Sequence, residues 1–251
     1  MNWFLIDAGN TTINLGLAKK NKFRIIGRFL SPDFLNKIPS LIKKNKPSKA
    51  LICSVVPELS KKLRQLFRKY KIEVLECGRD VKIPVRNLYK RPEEVGSDRL
   101  LNVYAAVRLY KNVGCVIDSG TALTIDIISK KGAYLGGFIF PGLSFSLEAL
   151  LKRCALLPKQ IKLKPRRNFS WGRSTIECIS SGTILGYSLL ISKIIDYLKK
   201  RRRFNFKVVL TGGDSPLLIK NLTNNIEYFE PQLILKGLNV LRQNIEKKQE
   251  R

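Results

Sequence analysis

The sequence predicts an α/β fold made of two duplicated βββαβα-type units. Three observations carry that expectation. First, the pentapeptide Asp7-Ala8-Gly9-Asn10-Thr11 has an echo at Asp118-Ser119-Gly120-Thr121-Ala122. Second, each copy sits between apolar runs, Trp3-Phe4-Leu5-Ile6 and Ile13-Asn14-Leu15-Gly16-Leu17 in one case, Cys115-Val116-Ile117 and Leu123 to Ile128 in the other. Each therefore reads as strand, tight polar turn, strand. Third, each half continues from three strand-like runs into alternating helices and strands. The expected division is 1–110 for the first lobe and 111–251 for the second.

In the first half the apolar runs place strands at Trp3–Asp7, Ile13–Ala18 and Phe23–Phe29. A helical stretch follows over about 32–44, then a strand at 50–56, a helix at 57–70 and a strand at 72–75. Leu100, Val103, Val107 and Tyr110 recur at helical spacing, so 98–110 is a helix joining the halves. The second half repeats the order, with strands at 114–118, 123–129 and 133–140 and a helix at 143–152. A basic, proline-containing loop leads to a long helix from about Ser174 to Lys200. A strand at 207–210, a helix near 216–222, a strand at 226–229 and a helix from Gln232 complete the chain.

Composition narrows the chemistry. The 251 residues are 44% hydrophobic, enough for a sizeable core. Asp7 interrupts the first apolar run early and no basic segment precedes it, so no signal peptide is expected. No stretch is expected to reach the length of a membrane helix. The expected location is the cytoplasm. The five cysteines (Cys53, Cys77, Cys115, Cys154 and Cys178) are scattered and form no Cys-x-x-Cys pair, which suggests neither a disulfide framework nor a zinc site. Cys53 and Cys115 lie in apolar runs and are expected as buried thiols. Histidine is absent, which excludes Ser-His-Asp and Cys-His catalysis. A general base at neutral pH is then a carboxylate, or a perturbed Lys, Cys or Tyr.

The net charge is +28, from 47 basic and 19 acidic residues. Such a charge can mark a nucleic-acid or membrane-surface binder. The basic residues are spread along the chain, however, with the densest runs at Lys199 to Arg203 and Lys159 to Arg167. The first run follows the amphipathic stretch Ile184 to Leu198, where cations suit a helix C-terminus. The favoured reading is a solvated basic surface, with no specific nucleic acid as partner and a field that attracts anionic nucleotides.

The repeated turn has its own chemistry. A carboxylate at a strand end can hold a cation, and the small residues after it let N–H groups and hydroxyls close on an anion. Two such turns suggest two lobes gripping a metal-bound polyphosphate. Either turn alone could be an ordinary hairpin, since Asp and Gly favour turns. Gly96-Ser97-Asp98-Arg99 precedes the joining helix, with Gly96 permitting a bend and Ser97 placed to cap the helix. Asp98, taken alone, reads best as a helix-start carboxylate facing the dipole. Gly136-Gly137-Phe138-Ile139-Phe140-Pro141-Gly142 fits close strand packing and a turn, or backbone lining a ligand cleft. Thr211-Gly212-Gly213-Asp214 follows the apolar strand Val208-Val209-Leu210, a setting suited to close approach of a nucleotide.

In that order the motifs resemble type III pantothenate kinase: Asp7-x-Gly-Asn-Thr11, Gly96-x-Asp-Arg99, Asp118-x-Gly-Thr-Ala-x-Thr-x-Asp126, Gly136-Gly-x-Ile-x-Pro-Gly142 and Thr211-Gly-Gly-Asp214. Val55-Val56-Pro57 and Gly237-Leu238 fit as well, so the resemblance runs from Leu5 to about Leu238. It implies two ribonuclease-H-like lobes of the actin-like ATPase superfamily. It implies transfer of phosphate from ATP to pantothenate, the first step toward coenzyme A. A homodimer, a divalent cation (Mg2+) with ATP, and a monovalent cation (K+ or NH4+) are implied too. Residue by residue, Asp7, Ala8, Gly9, Asn10, Thr11, Thr12, Ile13 and Asn14 would form the first phosphate loop, with Asp7 near the divalent metal. Asp98 would be the general base, Asp118 the monovalent-cation ligand and Thr121 an ATP-phosphate contact. Tyr89, Gly96, Ser97, Asp98, Arg99 and Thr175 would line the pantothenate site. Ser97 stands where alanine is usual, and Ser174 where asparagine often precedes the threonine. Two alternative readings stay open for this sequence: a non-catalytic accessory transcriptional regulator on the same scaffold, and a kinase of another small hydroxy acid.

Overall fold

The computed structural model describes residues 1–166, 171–201 and 204–249. Arg167, Arg202 and Arg203, from the two densest basic runs, lie outside the described residues. The chain divides into two units, Met1–Leu109 with the segment from Leu233 onward, and Tyr110–Gln232.

In the first unit, β1 (Asn2–Ala8), β2 (Thr12–Lys19) and β3 (Lys22–Leu30) form an antiparallel meander. Helix α1 (Ser31–Asn45) leads to β4 (Lys49–Ser54), α2 (Pro57–Lys69) and β5 (Glu73–Glu76). The sheet order is β3-β2-β1-β4-β5, with β4 parallel to both β1 and β5. A sheet covered on both faces explains why Trp3, Phe4, Leu5 and Ile6 form a continuous apolar run: all four are buried, at about 1.5–3 kcal/mol each. Phe4 and Ile6 meet Phe34 and Ile38 of α1 and Leu63 and Phe67 of α2. Trp3 and Leu5 meet Leu101 and Tyr104 of α3 (Ser97–Leu109) and Leu235 and Leu238 of α7 (Leu233–Gln249). Pro32 and Pro57 stand in the first turns of α1 and α2, where a missing N–H costs no helical bond.

The second unit repeats this plan. Strands β6 (Val113–Ser119), β7 (Ala122–Ile128) and β8 (Tyr134–Pro141) form the meander. Helices α4 (Leu143–Arg153) and α5 (Thr175–Arg201), strand β9 (Lys207–Thr211), the short α6 (Ser215–Leu218) and β10 (Tyr228–Phe229) follow. The sheet order β10-β9-β6-β7-β8 is the order of the first sheet read from its other edge, with β9 parallel to β6. Cys115, Ile117, Leu123 and Ile125 meet Ile191, Ile195 and Leu198 of α5.

Four expectations are corrected. The C-terminal helix was expected in the second lobe but packs in the first unit, where Gly237 lies against Ala105 and Leu101 of α3 and a Cβ would be 2.8 Å from Ala105 Cβ. Its apolar face is complementary to the meander of the first unit, which the chain order conceals. The helix expected near 216–222 is one turn of α6 continued by a 3₁₀ turn, Ile219–Asn221, because Leu218 and Leu222 are already buried and no longer face is needed. Ser97 lies inside α3 rather than capping it, since its hydroxyl is drawn to β4. Finally, α5 is long and apolar enough to cross a membrane. Ile184, Ile191, Ile195 and Leu198 are buried along it, and the last three belong to the core of the second unit, so one face of α5 packs in that core.

Candidate active site

Asp7 stands near the C-terminal end of β1, where the parallel β1–β4 pair opens into the first turn. The turn closes through Gly9 N–H to Thr12 O at 3.0 Å. Ser31 braces it from α1, its N–H donating to Thr11 O at 3.0 Å and its hydroxyl to Gly9 O at 3.1 Å. Asn10 and Thr11 remain exposed, whereas Ala8 and Ile13 are buried and anchor the loop. Asn14 faces Asp7 across the β1–β2 ladder and donates Nδ2–H to Asp7 Oδ2 at 2.9 Å. The sequence reading missed Arg28, which stands opposite Asn14 on β3. Only the strand register reveals it, because the β2–β3 bulge between Leu15 and Gly16 hides the pairing in the sequence.

Desolvation by burial pushes the Asp7 carboxyl up to about 6. The Asn14 hydrogen bond opposes the rise, the Asp98 carboxylate adds to it, and the Arg28 charge opposes it. Asp7 and Asp98 are thus close enough to repel. Two neighbouring half-buried carboxylates, both disfavoured as anions, fit a divalent cation, which takes oxygen ligands of this kind.

Asp98 lies in the first turn of α3. Burial pushes its carboxyl above the ordinary value; the Arg99 N–H bond to Oδ1 at 2.8 Å and the Arg99 charge work against that rise. Gly96 leaves the carboxylate its room, since a Cβ there would lie 2.5 Å from Asp98 Oδ1. Ser97 Oγ donates to Ser54 O at 3.2 Å and lies 3.6 Å from Cys53 Sγ, fixing the start of α3 to the end of β4. Cys53, the thiol beside this helix start, is poorly suited as a base: the Cys77 thiol next to it, with burial, holds the Cys53 thiol well above its usual range. Cys53 and Cys115 are both buried, as expected. Tyr89 lies half-buried in the same unit on the loop between β5 and α3, its N–H donating to Asn87 Oδ1 at 3.0 Å.

In the second unit, Asp118 stands one residue before the end of β6, opposite Thr124 of β7 and Thr211 of β9. Gly212, at φ +96°, packs so tightly under Asp118 Oδ1 and Ser119 O that any side chain would collide with both. The turn closes through Gly120 N–H to Ala122 O at 3.0 Å and leaves Thr121 exposed. Gly137 packs its Cα against the carbonyl of Ile125 with no room for a Cβ, so it serves strand packing. Thr175 is the exposed first residue of α5. The first unit therefore brings Asp7, Asn14, Asp98 and Arg99 into one neighbourhood, and the second brings Asp118 together with the Gly120-Thr121 turn and Gly212.

The structural relatives agree with this architecture. A Campylobacter jejuni protein described as a Baf family transcriptional activator superposes with a TM-score of 0.59 at 22% identity, covering 97% of this chain and 99% of the other. MreB5 of Spiroplasma citri bound to ADP superposes at 0.56 and 10% identity, covering 100% and 98%. At such identities they establish the fold, that of the actin-like ATPases. A type III pantothenate kinase from Persephonella marina is 35% identical over 246 residues, 93% of this chain and 95% of its own length. The family model for type III pantothenate kinase matches residues 3–197. Two sheets of one strand order, an Asp-led turn at the same place in each, and similarity over nearly the whole length lead to one assignment: the chain belongs to the type III pantothenate kinase family.

Proposed function

We propose that the protein transfers the γ-phosphoryl group of ATP to the primary hydroxyl of pantothenate, forming 4'-phosphopantothenate and ADP for coenzyme A synthesis. The observation that carries this reading, beside family membership, is the pairing of Asp98 with Asp7 in the first unit. Phosphoryl transfer needs charge neutralisation, alignment and a proton acceptor. Asp98 takes the proton of the attacking hydroxyl as its oxygen bonds to the γ-phosphorus, and the bond to the β-phosphate oxygen breaks. A carboxyl raised by burial is better matched to that task at neutral pH than an ordinary one. Asp7 and the turn through Asn14 meet the phosphates, and a divalent cation held there with ATP would neutralise phosphate charge. Thr121 takes a further phosphate contact. Asp118 would hold the monovalent cation, K+ or NH4+, which adds positive charge beside the second turn. Gly96, Ser97, Arg99, Tyr89 and Thr175 bind pantothenate, with Arg99 suited to its carboxylate.

The protein is proposed to act in the cytoplasm as a homodimer. Supporting the dimer is a shallow groove of about 600 Å³ in the second unit, lined by Phe138, Leu189, Leu190 and Tyr197. Leu189 and Tyr197 are about half exposed on α5, an apolar face suited to a second copy. The test is an assay of purified protein with ATP and pantothenate, with and without potassium, beside sedimentation of the same sample. ADP release that requires pantothenate supports the reading; ADP release indifferent to it counts against it.

A further inference from the structure

Asp214 ties together three segments of the second unit. Its backbone N–H donates to Ser119 O at 2.8 Å, the carbonyl just before Gly120 and Thr121. Its carboxylate reaches a different motif and accepts two bonds from Ser144: N–H to Oδ2 at 3.0 Å and Oγ–H to Oδ1 at 2.8 Å. Ser144 lies in the first turn of α4, whose N-cap Gly142 has no side chain with which to cap it. Asp214 thus provides the cap, and its negative charge suits a helix N-terminus. Gly142 in turn donates its N–H to Thr121 O at 2.9 Å. It lies so close to the carbonyls of Gly120 and Thr121 that a Cβ would overlap both. The second turn is therefore held at both ends. Ser119 is held by the Asp214 backbone, and Thr121 by Gly142, whose helix is held by the Asp214 side chain.

We infer that the Asp214 carboxylate is a positioning residue for nucleotide binding. It fixes the Gly120-Thr121 turn through Ser144 and Gly142, and both its oxygens are engaged by Ser144. The inference rests on the reading of Thr121 as an ATP-phosphate contact. It also explains why Thr211-Gly-Gly-Asp214 and Gly136 to Gly142, far apart in sequence, meet at this turn.

The test is steady-state kinetics of Asp214→Asn, Asp214→Ala, Ser144→Ala and Thr121→Ala beside the unmodified enzyme. Losing the two bonds in Asp214→Ala is expected to raise KM for ATP about ten-fold, with KM for pantothenate unchanged and the rate recovered at saturating ATP. Asp214→Asn keeps one acceptor and should fall between. Ser144→Ala leaves its backbone bond to Asp214 and should raise KM for ATP by a smaller factor. Equal losses toward both substrates would reduce Asp214 to a structural role and overturn the inference. A large effect of Asp214→Ala with a silent Ser144→Ala would mean direct contact with nucleotide and would overturn it too. An unchanged KM for ATP in Thr121→Ala would remove the phosphate reading, and the inference with it. If Asp214→Ala does not fold, Ser144→Ala decides: a selective rise in KM for ATP supports the inference, and none overturns it.

Discussion

Asn14 stands directly opposite Asp7 across the β1–β2 ladder and donates Nδ2–H to Asp7 Oδ2 at 2.9 Å. Arg28 continues the row on β3. Residues directly opposite one another on antiparallel strands share a face, so an acid, an amide and a cation lie side by side next to the first turn. The row keeps Asp7 oriented, yet burial and the neighbouring Asp98 carboxylate still make its ionisation costly.

That cost has a measurable sign. The Asp7 carboxyl rises from about 3.8 in the unfolded chain to about 6 in the fold. The folded state therefore holds this proton more tightly, a contribution fully present below the lower value and lost as pH rises through the upper one. The shift corresponds to at most about 3 kcal/mol. Asp7→Asn should raise the Tm of the ligand-free protein at pH 7.5, by about 2–4 °C per kcal/mol recovered, while losing ATP turnover. Thermal melts at pH 4.5 and 7.5 check this; a variant less stable than the parent at pH 7.5 would refute it.

Asp98→Asn is nearly isosteric but cannot readily accept the hydroxyl proton. Turnover should fall about 10²–10⁴-fold with the fold retained. Because burial raises the Asp98 carboxyl, the acid limb of kcat/KM should lie above the ordinary carboxylate range. A pH–rate profile measures both, and near-normal turnover in a folded variant would remove Asp98 from the chemistry.

Activity should require potassium or ammonium and be poor in sodium alone, and Asp118→Ala should abolish the response. The motive is the carboxylate at the end of β6, held above Gly212. Titration of the three chloride salts at constant ionic strength is the check. An enzyme indifferent to the cation would sink the assignment.

The +28 charge should give only weak, sequence-independent DNA binding. Counterion release makes such binding strongly salt-dependent, by roughly 10³–10⁵ in affinity between 50 and 200 mM salt for 6–10 phosphate contacts. Specific and scrambled duplexes should bind alike at both salt concentrations. A site preference surviving physiological salt, without kinase activity, would favour the accessory-regulator reading.

Much of the fold was legible because its signals are local. The runs around Asp7 and Asp118 carry a strand-turn-strand pattern in adjacent residues, and the sheets formed where expected. The C-terminal helix was misplaced because its partners, Leu101 and Ala105, are more than a hundred residues away. Periodicity shows that a helix has an apolar face but not what covers it. Ser97 was misread for a related reason. A serine at a helix start resembles a cap, and only the tertiary fold brings the Ser54 carbonyl within 3.2 Å of its hydroxyl. Arg28 and Ser144 escaped notice because strand register and helix capping by a distant Asp214 leave no pattern in neighbouring residues.

Whether pantothenate is the phosphoryl acceptor is decided by identifying the product. Purified protein should be incubated with ATP, magnesium, potassium and pantothenate, and the products resolved by mass spectrometry beside an Asp98→Asn control. The unmodified protein should yield 4'-phosphopantothenate and ADP in equal amounts, and the variant almost none. ATP consumed without phosphopantothenate, or equal product from both proteins, would contradict it.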